Sequence, residues 1–220
     1  MSKKSFKEEL KEWKNAIIWS LLVFLFIVKP FVVSGYKIPS GSMEDTMLIG
    51  DYLMVDKFTY GGEVPLVNIR VPGFRDPRPG DIVVFWSPEG PKPSFWDQLF
   101  FWKKSKNLRL VKRCVAEGGQ TVEVRDKQLY VDGKRLDEPY VKHIDARVYP
   151  GEYIPRDNFG PVTVPEGYYF MMGDNRDDSH DSRFFGPVSR KKVIGTPLLI
   201  YFSMEENRRD IRFERILKFF

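Results

Sequence analysis

The sequence predicts a mainly β protein preceded by one N-terminal apolar helix. Short apolar or alternating runs bounded by Gly, Pro and Asp recur from residue 52 onward, which is the pattern of strands rather than of helices. A single long apolar run sits near the start, directly after a charged segment. The 220 residues, 42% hydrophobic, suffice for one domain with a real core plus that extra segment, and no repeat of 20 to 50 residues is visible.

Residues 1–15 are charged, with Lys3, Lys4, Lys7, Lys11 and Lys14 beside Glu8, Glu9 and Glu12. Ala16 to Val28 is then apolar apart from Ser20, and Phe31-Val32-Val33 extends the run past Lys29 and Pro30. As a helix, Ile17 to Val33 would be about 25 Å long, near the lower limit for crossing a bilayer. A cleaved signal peptide ending near Val33-Ser34-Gly35, a buried core helix and an uncleaved anchor are all open readings. The anchor best fits the basic residues ahead of the run and their scarcity just after it. It expects a cytoplasmic segment at 1–15, a single transmembrane helix at 16–33 and an extracytoplasmic domain at 34–220.

Ile38-Pro39-Ser40-Gly41-Ser42-Met43 follows at once and puts two hydroxyls either side of a glycine. Pro39 fixes the backbone and Gly41 lets another chain come close, so Ser42 is a candidate nucleophile on a shaped corner. An ordinary turn has the same composition. A serine needs a base, and His143 and His180 are the only histidines, which leaves little room for a histidine triad or a His-ligated zinc. Cys114 is the sole cysteine, so no internal disulfide forms. The net charge of +5 is scattered and no nucleic-acid motif appears, so weak attraction to anionic lipid is the better reading, with no metal and no cofactor expected.

The expected strands are Tyr52 to Val55, Asp81 to Phe85, Arg109 to Ala116, Tyr168 to Met172 and Gly195 to Phe202. Thr121 to Val124 and Gln128 to Val131 read as a hairpin, with another turn at Asp132-Gly133. Alternation in the 109–116 strand places Lys112 among Leu110, Cys114 and Ala116, the one charge on an apolar face. Burial there would lower its pKa and make it a general base; a one-residue slip would solvate it. Ser94 to Lys104, with Phe95, Trp96, Phe100, Phe101 and Trp102, suits either core or a loop dipping into lipid headgroups. Gly173 to Arg183 is dense in Asp, Asn and Ser; it is a long turn, or the source of the group that orients Lys112, and its spacing does not fit an EF-hand. In the tail, Phe213, Ile216, Leu217 and Phe220 share one helix face, which predicts a docked C-terminal helix.

Together these clusters resemble type I signal peptidases, membrane-anchored serine proteases with a Ser/Lys dyad. Pro39 to Met43 looks like the family's nucleophile box. Gly50-Asp51 through Phe58 and Arg78 to Val83 look like strand boxes, Val111-Lys112-Arg113 like the base box, and Gly173 to Arg183 like the last box. The resemblance implies Ser42 as nucleophile and Lys112 as general base, with the Ser40 hydroxyl and the Ser42 amide as oxyanion hole. It implies that Ser179 hydrogen-bonds Lys112, that Asp181 and Arg183 pair to hold the last box, and that Asp174 supports the site. It also implies a core of antiparallel sheets with a smaller β-rich cap inserted at about 120–165, and exported preproteins cut at their signal peptides as substrates. Asp45 stands where proline is usual, Asp178 where asparagine is common, and Glu117-Gly118-Gly119-Gln120 replaces a Gly-Asp turn.

Rival readings remain. Ser34-Gly35-Tyr36-Lys37 and Ser189-Arg190-Lys191-Lys192 match the Ser-x-x-Lys of penicillin-binding enzymes, whose companion boxes are absent. Self-cleaving repressor proteases share the dyad but carry no anchor. A membrane-anchored adhesion or scaffold protein would leave Lys112 in solvent.

Overall fold

A computed structural model describes residues 6–24, 33–61, 63–64, 69–70, 72–90, 109–205 and 210–220. The N-terminal helix α1 spans Phe6–Val23, taking in the charged segment as well as the first half of the apolar run. Its Ile17, Ile18, Trp19, Leu21, Leu22 and Val23 stand exposed. Among the described residues no helix is long and apolar enough to cross a membrane. The second half of the run, 25–32, lies outside the described residues, as does the whole aromatic stretch 94–104 with Phe95, Trp96, Phe100, Phe101 and Trp102.

The strands are β1 (Val33–Lys37), β2 (Asp51–Asp56), β3 (Glu63–Val64), β4 (Ile69–Arg70), β5 (Ile82–Trp86), β6 (Arg109–Glu117), β7 (Thr121–Arg125), β8 (Gln128–Val131), β9 (Lys134–Arg135), β10 (Phe159–Thr163), β11 (Tyr168–Met172), β12 (Val188–Ser189) and β13 (Val193–Ser203). All the pairings between them are antiparallel, and the largest sheet has the order β1-β2-β13-β5-β6-β11-β12. A second sheet, β10-β7-β8-β9, covers 121–163. Asp126 and Lys127 at the β7–β8 turn, and Asp132 and Gly133 at the next, all have positive φ, the geometry that lets a two-residue turn follow the strand twist.

β13 organises the large sheet by changing neighbours along its length. Its start pairs with β5 and the rest with β2, with irregularities at Val193/Gly195, Pro197/Leu199 and Ile200/Phe202. The edge vacated by β5 is taken by the C-terminal tail: Ile200 N–H donates to Lys218, Leu217 N–H to Ile200 and Phe220 N–H to Leu198. The tail is therefore extended around a single 3-10 turn at Phe213–Arg215, not the helix its spacing predicts. Leu217 at φ 64 breaks any helix there, and Phe213, Leu217 and Phe219 stay exposed. Unpaired backbone along β13 decided the conformation, and side-chain period could not report it.

Among the described residues, three buried clusters hold the fold. Ile38, Met43 and Met47 pack with Leu53, Val55, Ile82, Val84 and Ile200, so the loop between β1 and β2 is anchored by its own apolar residues. Val83, Phe85, Cys114, Met171 and Val188 fill a second, with Leu110 against it. Val115, Ala116, Phe170 and Met172 share the third with Val122, Val124, Leu129 and Val131, which packs the two separate sheets on one core.

Candidate active site

Ser42 sits at the centre of a one-turn 3-10 helix, Gly41–Met43, on the loop joining β1 to β2. Its neighbour Met43 is 1% exposed, so burying that side chain turns the partly exposed Ser42 outward on a fixed base. The loop is closed below it, where Ile38 N–H donates to Asp51 (2.8 Å) and Gly50 N–H to Ile38 (3.0 Å). Ser40, at the mouth of the turn, is exposed and extended, with no cap hydrogen bond from its hydroxyl.

Lys112 lies in β6, which packs against the Ser42 turn. It is 2% exposed, on the face it shares with Leu110 and Cys114, and its cross-strand partner Val83 is wholly buried. Desolvation therefore lowers its pKa from 10.5 to about 8; Asp181, Asp178 and Asp174 oppose the fall and Arg183 reinforces it. Burial pushes the Cys114 thiol up as well, a second sign that this face is dry. Among the described residues Lys112 Nζ makes no hydrogen bond, to Ser42 Oγ or to any other group.

The third component is the loop from Gly173 to Arg183, held between β11 and the short helix α2 (Ser182–Phe185). Asn175 N–H donates to the Ser42 carbonyl (3.1 Å), and Asn175 Nδ2 to the Gly41 carbonyl (3.3 Å), which fastens this loop to the nucleophile turn. Gly173 is required where it stands: a Cβ there would be 2.5 Å from the Ser42 carbonyl oxygen and would collide with Ser179 Oγ. Ser179 thus comes to the same point as Ser42. Its hydroxyl donates to Asp181 Oδ2 (2.7 Å), which leaves the oxygen lone pairs as acceptors.

Asp181 is fully buried, and its carboxyl is nonetheless held below its usual range by Arg183, which binds it through Nε (2.9 Å) and Nη2 (2.8 Å). Asp181 also accepts the Gly173 N–H (3.0 Å), so the pair fixes both ends of the loop. Asp174 takes a two-pronged contact from Arg113 (2.9 and 2.7 Å) and the Thr46 hydroxyl (2.6 Å), tying the loop to β6 and to the segment after Ser42. His180 turns outward to Glu89 (3.0 Å) and stacks on Phe184.

Asp45 has φ 75, a backbone a proline ring forbids, and its carboxylate meets Lys142 Nζ at 3.0 Å. Lys142 belongs to a segment that pairs with Asn175 in parallel and exchanges hydrogen bonds with Asp174 and Arg176. Sequence reasoning assigned no role to Asn175, Arg113 or Lys142. A glycine directly after a buried strand was the available signal for Gly173; nothing local marked the other three.

The signal peptidase, peptidase S26 family matches residues 10–202. Signal peptidase I of Bacillus licheniformis is 33% identical over 205 residues, covering 92% of this chain and 94% of that protein. Signal peptidase I of Pseudomonas aeruginosa is 29% identical over 226 residues, covering 90% and 74% respectively. A probable signal peptidase I of Mycobacterium leprae is 37% identical over 201 residues, covering 78% and 63%.

Proposed function

The chain belongs to the signal peptidase, peptidase S26 family, and on that premise we propose how its site cuts signal peptides from preproteins. It is a serine endopeptidase. Neutral Lys112 takes the Ser42 proton, Ser42 Oγ attacks the scissile carbonyl, and the resulting ammonium protonates the leaving amine. The oxyanion is met by the Ser40 hydroxyl and the Ser42 N–H. Water then hydrolyses the acyl-enzyme with Lys112 again as base. The Ser179 hydroxyl donates to Asp181 and would offer its lone pairs to Lys112 and so aim it, although the two make no hydrogen bond in this structure; Asp181, Arg183 and Asp174 hold the loop that carries Ser179.

The buried amine carries this reading. A lysine with a pKa of about 8 is neutral often enough to accept a proton near neutrality, which a solvated lysine is not. The substrate fits as a strand: β1 is the edge of its sheet and runs straight to the Ser42 turn, while β11 pairs only with the Arg113–Glu117 half of β6.

Membrane attachment through the apolar run 16–33, with 1–15 cytoplasmic and 34–220 outside, belongs to the same proposal. The exposed apolar residues of α1 support it, since a helix with that surface needs a non-aqueous partner. Ser42 would then lie within about 30 Å of the outer membrane face. Phe95, Trp96, Phe100, Phe101 and Trp102 would add a lipid contact, and residues about 120–165 would form the cap. Purified full-length chain in detergent tests the chemistry. Ser42→Ala and Lys112→Ala should each abolish preprotein cleavage while circular dichroism stays unchanged; full activity in either variant refutes its assigned role.

A further inference from the structure

The loop that carries Ser42 is gripped from below by a part of the chain beyond the family match, which ends at residue 202. Asp51, the first residue of β2 and wholly buried, is the centre of this grip. Its Oδ2 accepts the Leu48 N–H (2.8 Å) and Arg215 Nη2 (2.6 Å), and its Oδ1 accepts Ser203 Oγ (2.6 Å) and Arg215 Nε (3.0 Å). Arg215 Nη2 also reaches the Thr46 carbonyl (3.2 Å), and Arg212 Nη2 reaches that of Ile49 (2.7 Å).

Thr46 is the hinge of the arrangement. Its N–H donates to the Met43 carbonyl (3.1 Å), next to Ser42, and its hydroxyl to Asp174 (2.6 Å). One guanidinium thus bears on the nucleophile turn and, through Thr46 and Asp174, on the loop that holds Ser179. Such a planar fork meets both oxygens of a carboxylate and a carbonyl from separate nitrogens at fixed angles, a geometry that the single nitrogen of a lysine does not reproduce.

We propose that Arg215, with Arg212, makes the C-terminal tail a positioning device for Ser42, setting its placement against Lys112 rather than binding substrate. The proposal rests on the proteolytic reading above. A shift of about 1 Å in a reacting group costs up to about a hundredfold in rate, so a clamp two contacts away matters for kcat.

The test uses full-length chain in detergent with a fluorogenic signal-peptide substrate, assayed well below the Tm of each variant. Wild type must cleave and Ser42→Ala must not; without that difference the proteolytic reading fails, and this inference with it. Given that difference, Arg215→Lys and Arg215→Ala should lower kcat by about tenfold or more with KM within about twofold of wild type. The midpoint of the pH–rate profile should stay in place, because Lys112 keeps its surroundings. Arg215→Lys retains the charge and is the milder test if Arg215→Ala folds poorly. Wild-type kcat in Arg215→Lys, or a rise in KM alone, overturns the inference, even if Tm falls.

Discussion

The Asn175 N–H donates to the Ser42 carbonyl at 3.1 Å, joining two segments that strand pairing alone would leave apart. Through this bond the nucleophile turn and the loop carrying Ser179 and Asp181 are fastened into one body. Four predictions follow from that body and from the buried amine beside it.

Activity should track deprotonation of Lys112. With a pKa of about 8, kcat/KM should rise about tenfold per pH unit below pH 8 and level off above it. A fluorogenic signal peptide assayed from pH 6 to 9.5 reads this directly, and a flat profile would remove Lys112 as the base. Lys112→Arg should be inactive throughout, because a guanidinium stays protonated.

The same lysine should weaken the fold it serves. Its folded pKa lies below the unfolded value, so the unfolded chain binds more protons between about pH 8 and 10, and stability gains with pH across that window. Below pH 8 the full cost of burying the ammonium remains, on the order of 3 kcal/mol. Lys112→Met should therefore be inactive yet melt higher than wild type at pH 6, with the gap closing towards pH 10. An equal or lower Tm at pH 6 would show that Asp181 compensates the charge fully.

Gly173→Ala should damage the site out of proportion to its size. The added methyl would press on the Ser42 carbonyl and Ser179 Oγ, forcing one of them aside. Preprotein cleavage should drop by about a hundredfold. Gly80→Ala is the control, since its Cβ would meet nothing within 4 Å; its φ of 100 costs some stability and no activity.

Asp177 should be an acid-labile tether. Its side chain is buried, which raises a carboxyl pKa, yet hydrogen bonds from Lys127, His143 and the amides of Ile144 and Asp145 hold it well below the ordinary range. The stability it contributes is present above about pH 4 and lost as pH falls further. Asp177→Asn should cost about 2–3 kcal/mol in urea unfolding at pH 7, and the difference should shrink below pH 4. A pH-independent difference would mean that the loss is steric rather than ionic.

Local pattern exposed much of the fold. Tyr168 to Met172 is a strand with those bounds, the runs at Tyr52 to Val55 and Gly195 to Phe202 fall within strands, and the run at Asp81 to Phe85 does so from Ile82 onward. Alternation put Lys112 with Leu110 and Cys114, where it is 2% exposed. The tail misled, because Phe213, Ile216, Leu217 and Phe220 keep helical spacing while their backbone completes β13. β1 was also missed, since Ser34, Gly35 and Lys37 are poor strand formers that pair only because β2 is beside them.

What the sequence determined by itself was the longer, more apolar strands, the buried face that carries Lys112 and the chemistry of the groups they bear, because side-chain alternation and turn residues act over a few positions. Only the tertiary structure decided that the Ser42 turn, the Lys112 strand and the Gly173 loop converge, and that Arg215 reaches Asp51 across 164 positions of chain. Those meetings depend on which strand edges find partners and which charges survive burial. Both are settled by the whole sheet at once, so no window of the sequence contains them.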